Sequence, residues 1–471
     1  MIPNVLADRY ASREMAAIFR PENRVRTERT FWLAVLEAQI DLGLEVDRGV
    51  LDDYRKVLDE IDLDSIRRRE IVTRHDVKAR LEEFCDLAGH EHLHKGLTSR
   101  DATENVEQLL TFQGLELVIG RATALAVALG ELADRYAGLT IVGRTHNVPA
   151  QPTTLGKRFA MVGEELVAAI ETLTALRERF ALRGIKGPVG SQQDQLDLLG
   201  SADAVGELEQ RVADHLGVPR TLNAVGQVYP RSLDFEVVAA LLQLASAPAN
   251  LATTIRLMAG QDLATEGFKE GQVGSSAMPH KMNTRSCERI NGFTTILRGH
   301  VTMASGLVGD QWNEGDVSCS VVRRVVLPDA FFAIDGLLET TFAVVREFGA
   351  FDAVIEEELR RYLPFVSTTA LLMHAVRAGL GREEAHEIIK IHAVAAALAM
   401  RGQGDGGGSL VERLGADVSF PGDDEEIAAL VADPSGLLGL IDRQIASYVA
   451  TATTWAARNP EAAAYRGADI L

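Results

Sequence analysis

The chain has 471 residues, too many for one ordinary domain, and its 46% apolar and 24% charged composition suits a globular protein with a large core. A formal net charge of −19 argues against a general nucleic-acid binder, which needs a basic face to neutralise phosphates, but it leaves room for a local basic pocket around one small anion. Three cysteines without CxxC spacing (Cys85, Cys287, Cys319) read as reduced buried thiols, and the charged start MIPNVLADRYASREM is unlike a secretory signal, so a cytoplasmic protein is expected.

The first region, to about Leu110, carries four of the eleven histidines, three of them within five residues. Its compact basic run Arg67-Arg68-Arg69 reads as a solvated helix face. In Thr73-Arg74-His75-Asp76-Val77, Asp76 is placed to orient or charge the ring of His75. His90-Glu91-His92-Leu93-His94 matches the H-E-x-x-H zinc pattern. That pattern needs a helix running past its second histidine, and Gly96 follows at once, so no metal site is expected. Thr98 and Ser99 precede ATENVEQLL, where hydroxyls and the first unbonded amides of a helix can hold an anion.

Beyond Leu109 the helical pattern is sustained. Leu109–Leu132 is apolar on more than one face, which predicts a central position in a bundle or burial between subunits, and so oligomerisation. In Thr145-His146-Asn147-Val148-Pro149-Ala150-Gln151-Pro152-Thr153-Thr154 the two prolines hold the chain extended, which puts His146 on a stiff connector. Thr153 or Thr154 can cap the next helix. Val237, Val238, Leu241, Leu242 and Ala245 recur at helical intervals. Gln243, Pro248 and Asn250 interrupt that stretch, and Arg121 and Glu131 interrupt Leu117–Ala133, so no membrane-spanning segment of ~20 apolar residues is expected.

In Glu270-Gly271-Gln272-Val273-Gly274-Ser275-Ser276-Ala277-Met278-Pro279-His280-Lys281-Met282-Asn283, the glycines predict a mobile loop before the helical run from Ser286 to Leu307. Its hydroxyls, cation and amide suit binding of a carboxylate and of developing negative charge. Phe331, Ile334, Leu338, Phe342 and Val345 form a further stripe, with Pro328 in a first-turn position. Pro364 marks a break, and Gly402–Ser409 reads as a flexible surface loop. The fold class is all-α: an N-terminal helical domain (1–110), a central long-helix bundle (111–363) and a C-terminal helical domain (364–471).

Taken together these segments resemble the fumarase/aspartase superfamily and, within it, the adenylosuccinate lyase family. GSSAMPHKMN is similar to the superfamily signature in that family's form, since fumarases tend to carry glycine and argininosuccinate lyases glutamine where His280 stands. ADRY, TRHDV, HKGLTSRD, GRTHNVPAQPTTLGKR, GQVYPRSLDFE and CSVVRRVVLPD follow in family order over nearly the whole chain. The resemblance implies three helical domains and a homotetramer whose central bundles form one core, with each active site drawn from three subunits. It implies β-elimination of fumarate from adenylosuccinate, giving AMP, and from succinylaminoimidazole carboxamide ribotide in purine synthesis, without cofactor or metal.

It also implies roles. Ser275 would be the general base and His146 the general acid, with His75 nearby as partner or orienter and as the alternative proton donor. Lys281 and Asn283 would hold the succinyl carboxylates and meet the carbanionic charge. Thr98 and Ser99 would bind a carboxylate, Gln227 would position the substrate, and His94 is a further active-site histidine. Arg9, Tyr10, Arg289, Ser320 and Arg324 would surround phosphate and ribose, and Asp76, Ser276 and Met278 complete the substrate-binding set. The chain departs from the family pattern at Thr284 (usually proline), Gly315 (often arginine) and Val321 (often serine), which bears on nucleotide contacts and not on reaction class. Competing expectations are a related succinyl substrate such as argininosuccinate, a non-catalytic scaffold that keeps the fold, and a zinc hydrolase.

Overall fold

The computed structural model describes residues 4–267, 278, 280–403 and 408–468. Helices dominate it, and the strands among the described residues form three two-stranded pairs. Five long helices, Ser99–Arg135, Leu155–Glu178, Ser232–Ala259, Arg285–Ser305 and Cys319–Glu347, share one core around residues such as Leu125, Leu166, Leu241, Leu297 and Phe331. A separate N-terminal core is built on Phe31, Trp32, Tyr54 and Phe84. A third, formed by Leu371, Ile389, Leu410 and Ile427, lies in the C-terminal region.

The expected boundary at 110 falls inside the continuous Ser99–Arg135 helix, yet the core changes near that point. Ala102, Val106 and Leu110 pack in the N-terminal core, and Leu115 onward in the central one. The C-terminal region is narrower than 364–471. Its own core ends at Val431, and Ile445, Tyr448, Ala452 and Trp455 of the helix Ile441–Arg458 return to the central bundle. Tyr448 fills the space over Gly163 and donates its hydroxyl to the carbonyl of Ala126 at 2.6 Å, so this helix is part of the bundle wall.

Three prolines read as punctuation lie inside helices instead. Pro248 is within Ser232–Ala259, Pro328 within Cys319–Glu347, and Pro364 within Asp352–Val366, two residues before its end. An interior proline costs about 3 kcal/mol. Around Pro248 that cost is met by burial of Leu244, Ala245, Leu251 and Ala252, since one fully buried leucine alone contributes roughly 1.5–3 kcal/mol. As a result Ser232–Ala259 is, by length and composition, apolar enough to cross a membrane, contrary to the expectation that Pro248 and its neighbours divide it. It lies within the bundle, with 56% of its most apolar window buried.

The Ser99–Arg135 helix is enclosed by its own chain, against Leu155–Glu178, Cys319–Glu347 and Ile441–Arg458. Its many-sided apolarity is therefore satisfied within one protomer and is no argument for oligomerisation. Apolar residues do remain exposed on other bundle helices: Leu257, Ile296, Met303, Val321 and Val325.

Candidate active site

A cavity of about 640 Å³ opens where the Ser99–Arg135 helix begins, and His75, His94, Thr98 and Ser99 all line it. His75 is the N-cap of the helix Asp76–Ala88, and its Nδ1 accepts the amide of Lys78 at 3.2 Å. His94 has left-handed backbone (φ 65°), and its Nδ1 accepts the indole N–H of Trp32 at 3.2 Å. A neutral imidazole that accepts at Nδ1 carries its proton on Nε2. In both rings Nε2 is left free of the contacts made at Nδ1. Burial, with a smaller contribution from His75, holds the pKa of His94 below the usual imidazole range against the pull of Asp101, so His94 acts as a neutral donor. Two such imidazoles, two hydroxyls and the positive end of a 37-residue helix make a place for a carboxylate.

Beneath this cavity the helix start is fixed by charges that the sequence reading did not single out. The Thr98 amide donates to Asp101 Oδ2 at 2.7 Å. Asp101 Oδ1 pairs with Arg183 and accepts the amides of Lys186 (2.9 Å) and Gly187 (3.1 Å). One turn on, Glu104 pairs with Arg231 (2.7 Å) and Arg100 (3.1 Å). Arg323 joins Glu107, Asp234 (2.7 Å) and the Tyr229 hydroxyl. Burial opposes ionisation of Glu107, but Arg323 and Arg24 hold its pKa down at about 2. Acidic residues at 101, 104 and 107, spaced to one face of an otherwise apolar helix, were the available signal. Their partners lie far away in sequence.

The remaining predicted residues form further groups. Arg289 stands over the Tyr10 ring, 5.6 Å from its centroid, and Arg9 is 5.9 Å from the same centroid, so these three are brought together. Ser320 and Arg324 share the first turns of Cys319–Glu347. Burial works against a charge on Asp76, yet Arg80 (3.2 Å) and, more weakly, Arg324 hold its carboxyl below the usual range, which ties this helix electrostatically to the His75 segment. Gln227 donates its amide to the Glu314 carbonyl at 2.7 Å. Lys281 is exposed, its amide donating to the Met278 carbonyl at 3.0 Å, and Asn283 lies just before the Arg285–Ser305 helix. Glu266 fastens that helix by accepting the amides of Ser286 and Cys287, both at 2.8 Å. Ser275 and Ser276 lie outside the described residues.

His146 is not among the residues lining this cavity. The predicted connector is a hairpin, Thr140–Thr145 against Val148–Thr154, with Thr145 paired to Val148. His146 and Asn147 are its two loop residues, both left-handed (φ 54° and 63°), as a tight two-residue turn demands. Thr154, one of the two proposed caps, accepts the Lys157 amide at 3.1 Å.

One departure from the family pattern has a local physical basis. Gly315 has φ 140°, and a Cβ there would stand 2.9 Å from Val228 Cγ2, so this backbone does not accommodate the arginine of other relatives. In HEHLH the Asp76–Ala88 helix has already ended at left-handed Gly89, and the rings diverge: His90 to Asp53 (3.0 Å), His92 to Lys95 (3.1 Å), His94 to Trp32.

Comparison with known proteins adds independent findings. A family model described as Lyase matches residues 23–299, and one described as Adenylosuccinate lyase C-terminus matches 364–448. The chain is 34% identical to adenylosuccinate lyase of Saccharomyces cerevisiae, over 94% of this chain and 93% of that one. It is 31% identical to adenylosuccinate lyase of Schistosoma mansoni, over 95% and 94%. Among solved structures it superposes on 3-carboxy-cis,cis-muconate lactonizing enzyme from Pseudomonas putida with TM-score 0.80 at 20% identity, covering 96% of this chain and 100% of that one. A fumarate lyase from Mesorhizobium sp. BNC1 gives TM-score 0.79 at 19% identity, covering 96% and 99%. At those identities the structural likeness speaks for the fold alone.

Proposed function

The chain belongs to the adenylosuccinate lyase family and is a lyase of that activity, and from this premise we propose how its residues divide the work. The substrates are adenylosuccinate and succinylaminoimidazole carboxamide ribotide. One succinyl carboxylate sits among His75, His94, Thr98 and Ser99. Ser275 removes the proton from the succinyl β-carbon, the carbon–nitrogen bond breaks as the fumarate double bond forms, and His146 delivers a proton to the departing nitrogen. Lys281 and Asn283 meet the charge that gathers on the second carboxylate. Arg9, Tyr10, Arg289, Ser320 and Arg324 surround the nucleotide phosphate and ribose, while Asp76, Gln227, Ser276 and Met278 complete the substrate enclosure. A serine hydroxyl is a poor base, so its alkoxide needs a cation, for which Lys281 is the candidate, and exclusion of water. No cofactor or metal takes part in this reading.

The observation that carries the proposal is the convergence of His75, His94, Thr98 and Ser99 on one cavity at the start of the Ser99–Arg135 helix, where imidazoles, hydroxyls and the helix N-terminus can meet a carboxylate. His146 does not line that cavity, so the reading draws it from another subunit. Exposed Leu257, Ile296, Met303, Val321 and Val325 on the bundle support association through the central helices, and the family resemblance makes that assembly a homotetramer, in the cytoplasm. The regions 1–110, 111–363 and 364–471 then serve as histidine-bearing, assembling and outer domains, with the last helices added to the assembling one. Purified protein mixed with adenylosuccinate is expected to release fumarate, and Ser275→Ala to abolish release without loss of assembly. No release from the intact wild-type oligomer would overturn the assignment of substrate, and full activity in Ser275→Ala would overturn the base.

A further inference from the structure

The hairpin bearing His146 has no apolar anchor at its tip, since Thr145, His146, Asn147 and Val148 are all exposed. Its orientation depends on polar ties lower down. Arg144 Nη1 donates to the Asn147 carbonyl at 3.3 Å, closing the turn from inside, and Arg144 Nη2 pairs with Glu358 on the helix Asp352–Val366. This pair is largely covered, at 17% and 12% side-chain exposure. Arg158, on the helix that follows the hairpin, donates to the Val142 carbonyl at 3.2 Å. It feels the repulsion of Arg144 and the attraction of Glu358. One carboxylate therefore offsets two guanidinium groups under the turn. A second tie, Gln151 Nε2 to Thr369 Oγ1 at 2.8 Å, fastens the other strand to the next helix, Thr368–Arg377.

We propose that Glu358 is a positioning residue for the general acid: through Arg144 it fixes the turn at Asn147 and so aims His146, making the C-terminal region part of the catalytic apparatus. This rests on the reading of His146 as the proton donor. The left-handed pair His146–Asn147 is set by the two-residue hairpin turn, and the Arg144 contact to the Asn147 carbonyl adds the tie that fixes the tip's orientation. Without Glu358 the two arginines repel each other, Arg144 turns toward solvent, and the Asn147 carbonyl loses its donor. The imidazole then drifts from the leaving nitrogen while the carboxylate cavity, on another segment, is untouched. The expected signature is a fall in kcat with little change in KM.

The test compares Glu358→Gln, His146→Ala and the double variant in fumarate release from adenylosuccinate, with melting temperature and oligomer size as controls. Glu358→Gln is expected to lower kcat by about tenfold with KM within about twofold, as a displacement of an ångström or less would do. His146→Ala is expected to lose a factor on the order of 10²–10⁴, and the double variant no more than His146→Ala alone. Wild-type kcat in folded Glu358→Gln, or an equal extra tenfold loss in the His146→Ala background, overturns the inference. Full activity in His146→Ala overturns instead the reading on which it rests. If Glu358→Gln does not fold, Arg144→Lys, which keeps a cation for Glu358 but lacks the fork reaching Asn147, carries the same expectations and the same refutations.

Discussion

At the scale of single residues, Asp335 shows how the bundle tolerates a charge badly. It is buried, Oδ2 accepts the Ser12 amide at 2.6 Å, and Oδ1 has no hydrogen-bond partner. Burial, reinforced by nearby Glu339 and only partly relieved by Ser12 and Arg121, raises its pKa from 3.8 to about 6. The folded chain thus holds a proton that the unfolded chain has released. Its contribution favours folding below about pH 4, is lost as pH rises toward 6, and is absent at pH 7. Two pH units correspond to about 3 kcal/mol. Glu107 has the opposite sign: its depressed pKa stabilises the fold above the ordinary carboxylate value and is lost as pH falls toward 2. Asp335→Asn is expected to raise the melting temperature at pH 7 and to flatten its decline between pH 4 and 6. An unchanged slope across that interval would refute the assignment. Residues such as His75, Thr98 and Ser99 were legible beforehand because the motifs that carry them are short and local. Asp335 was not, because its predicament arises from Ser12, Arg121 and Glu339, which only folding brings near.

At the scale of elements, the start of the Ser99–Arg135 helix is positioned by ion pairs more than by packing. Arg183 and Asp101 are both fully buried, so removing one partner strands the other's charge. Arg183→Met is expected to cost about 3–5 kcal/mol in thermal unfolding, and Asp101→Asn added to it should give back part of that loss. A loss under 1 kcal/mol in the single variant would mean that water reaches Asp101 and the pair is not structural. Helical stripes revealed most of the bundle, since 3.6-residue periodicity is written into each segment. Prolines misled at 248, 328 and 364, because local propensity yields to the burial of a whole helix face. The hairpin holding His146 was missed for a related reason: its strands lack a clean period-two alternation, and Pro149 and Pro152 suggested only an extended connector.

At the scale of the whole molecule, the N-terminal core ends and the central core begins along one uninterrupted helix, so the site's carboxylate cavity and the bundle are rigidly linked. The return of Ile441–Arg458 to the bundle was not legible in sequence, because a polar-faced amphipathic helix near a chain end carries no label for the core it will join. What the single chain leaves apart is equally informative: His75 lines the cavity, and His146 stands on a hairpin tied to the C-terminal region. The account holds that different subunits supply these two imidazoles to one site. Mixing the inactive His75→Ala and His146→Ala proteins under conditions that exchange subunits tests this directly. Randomly reassembled hybrids are predicted to regain about a quarter of wild-type activity, because one chain restores the residue that its neighbour lacks. Hybrids that form and remain as inactive as their parents would contradict it.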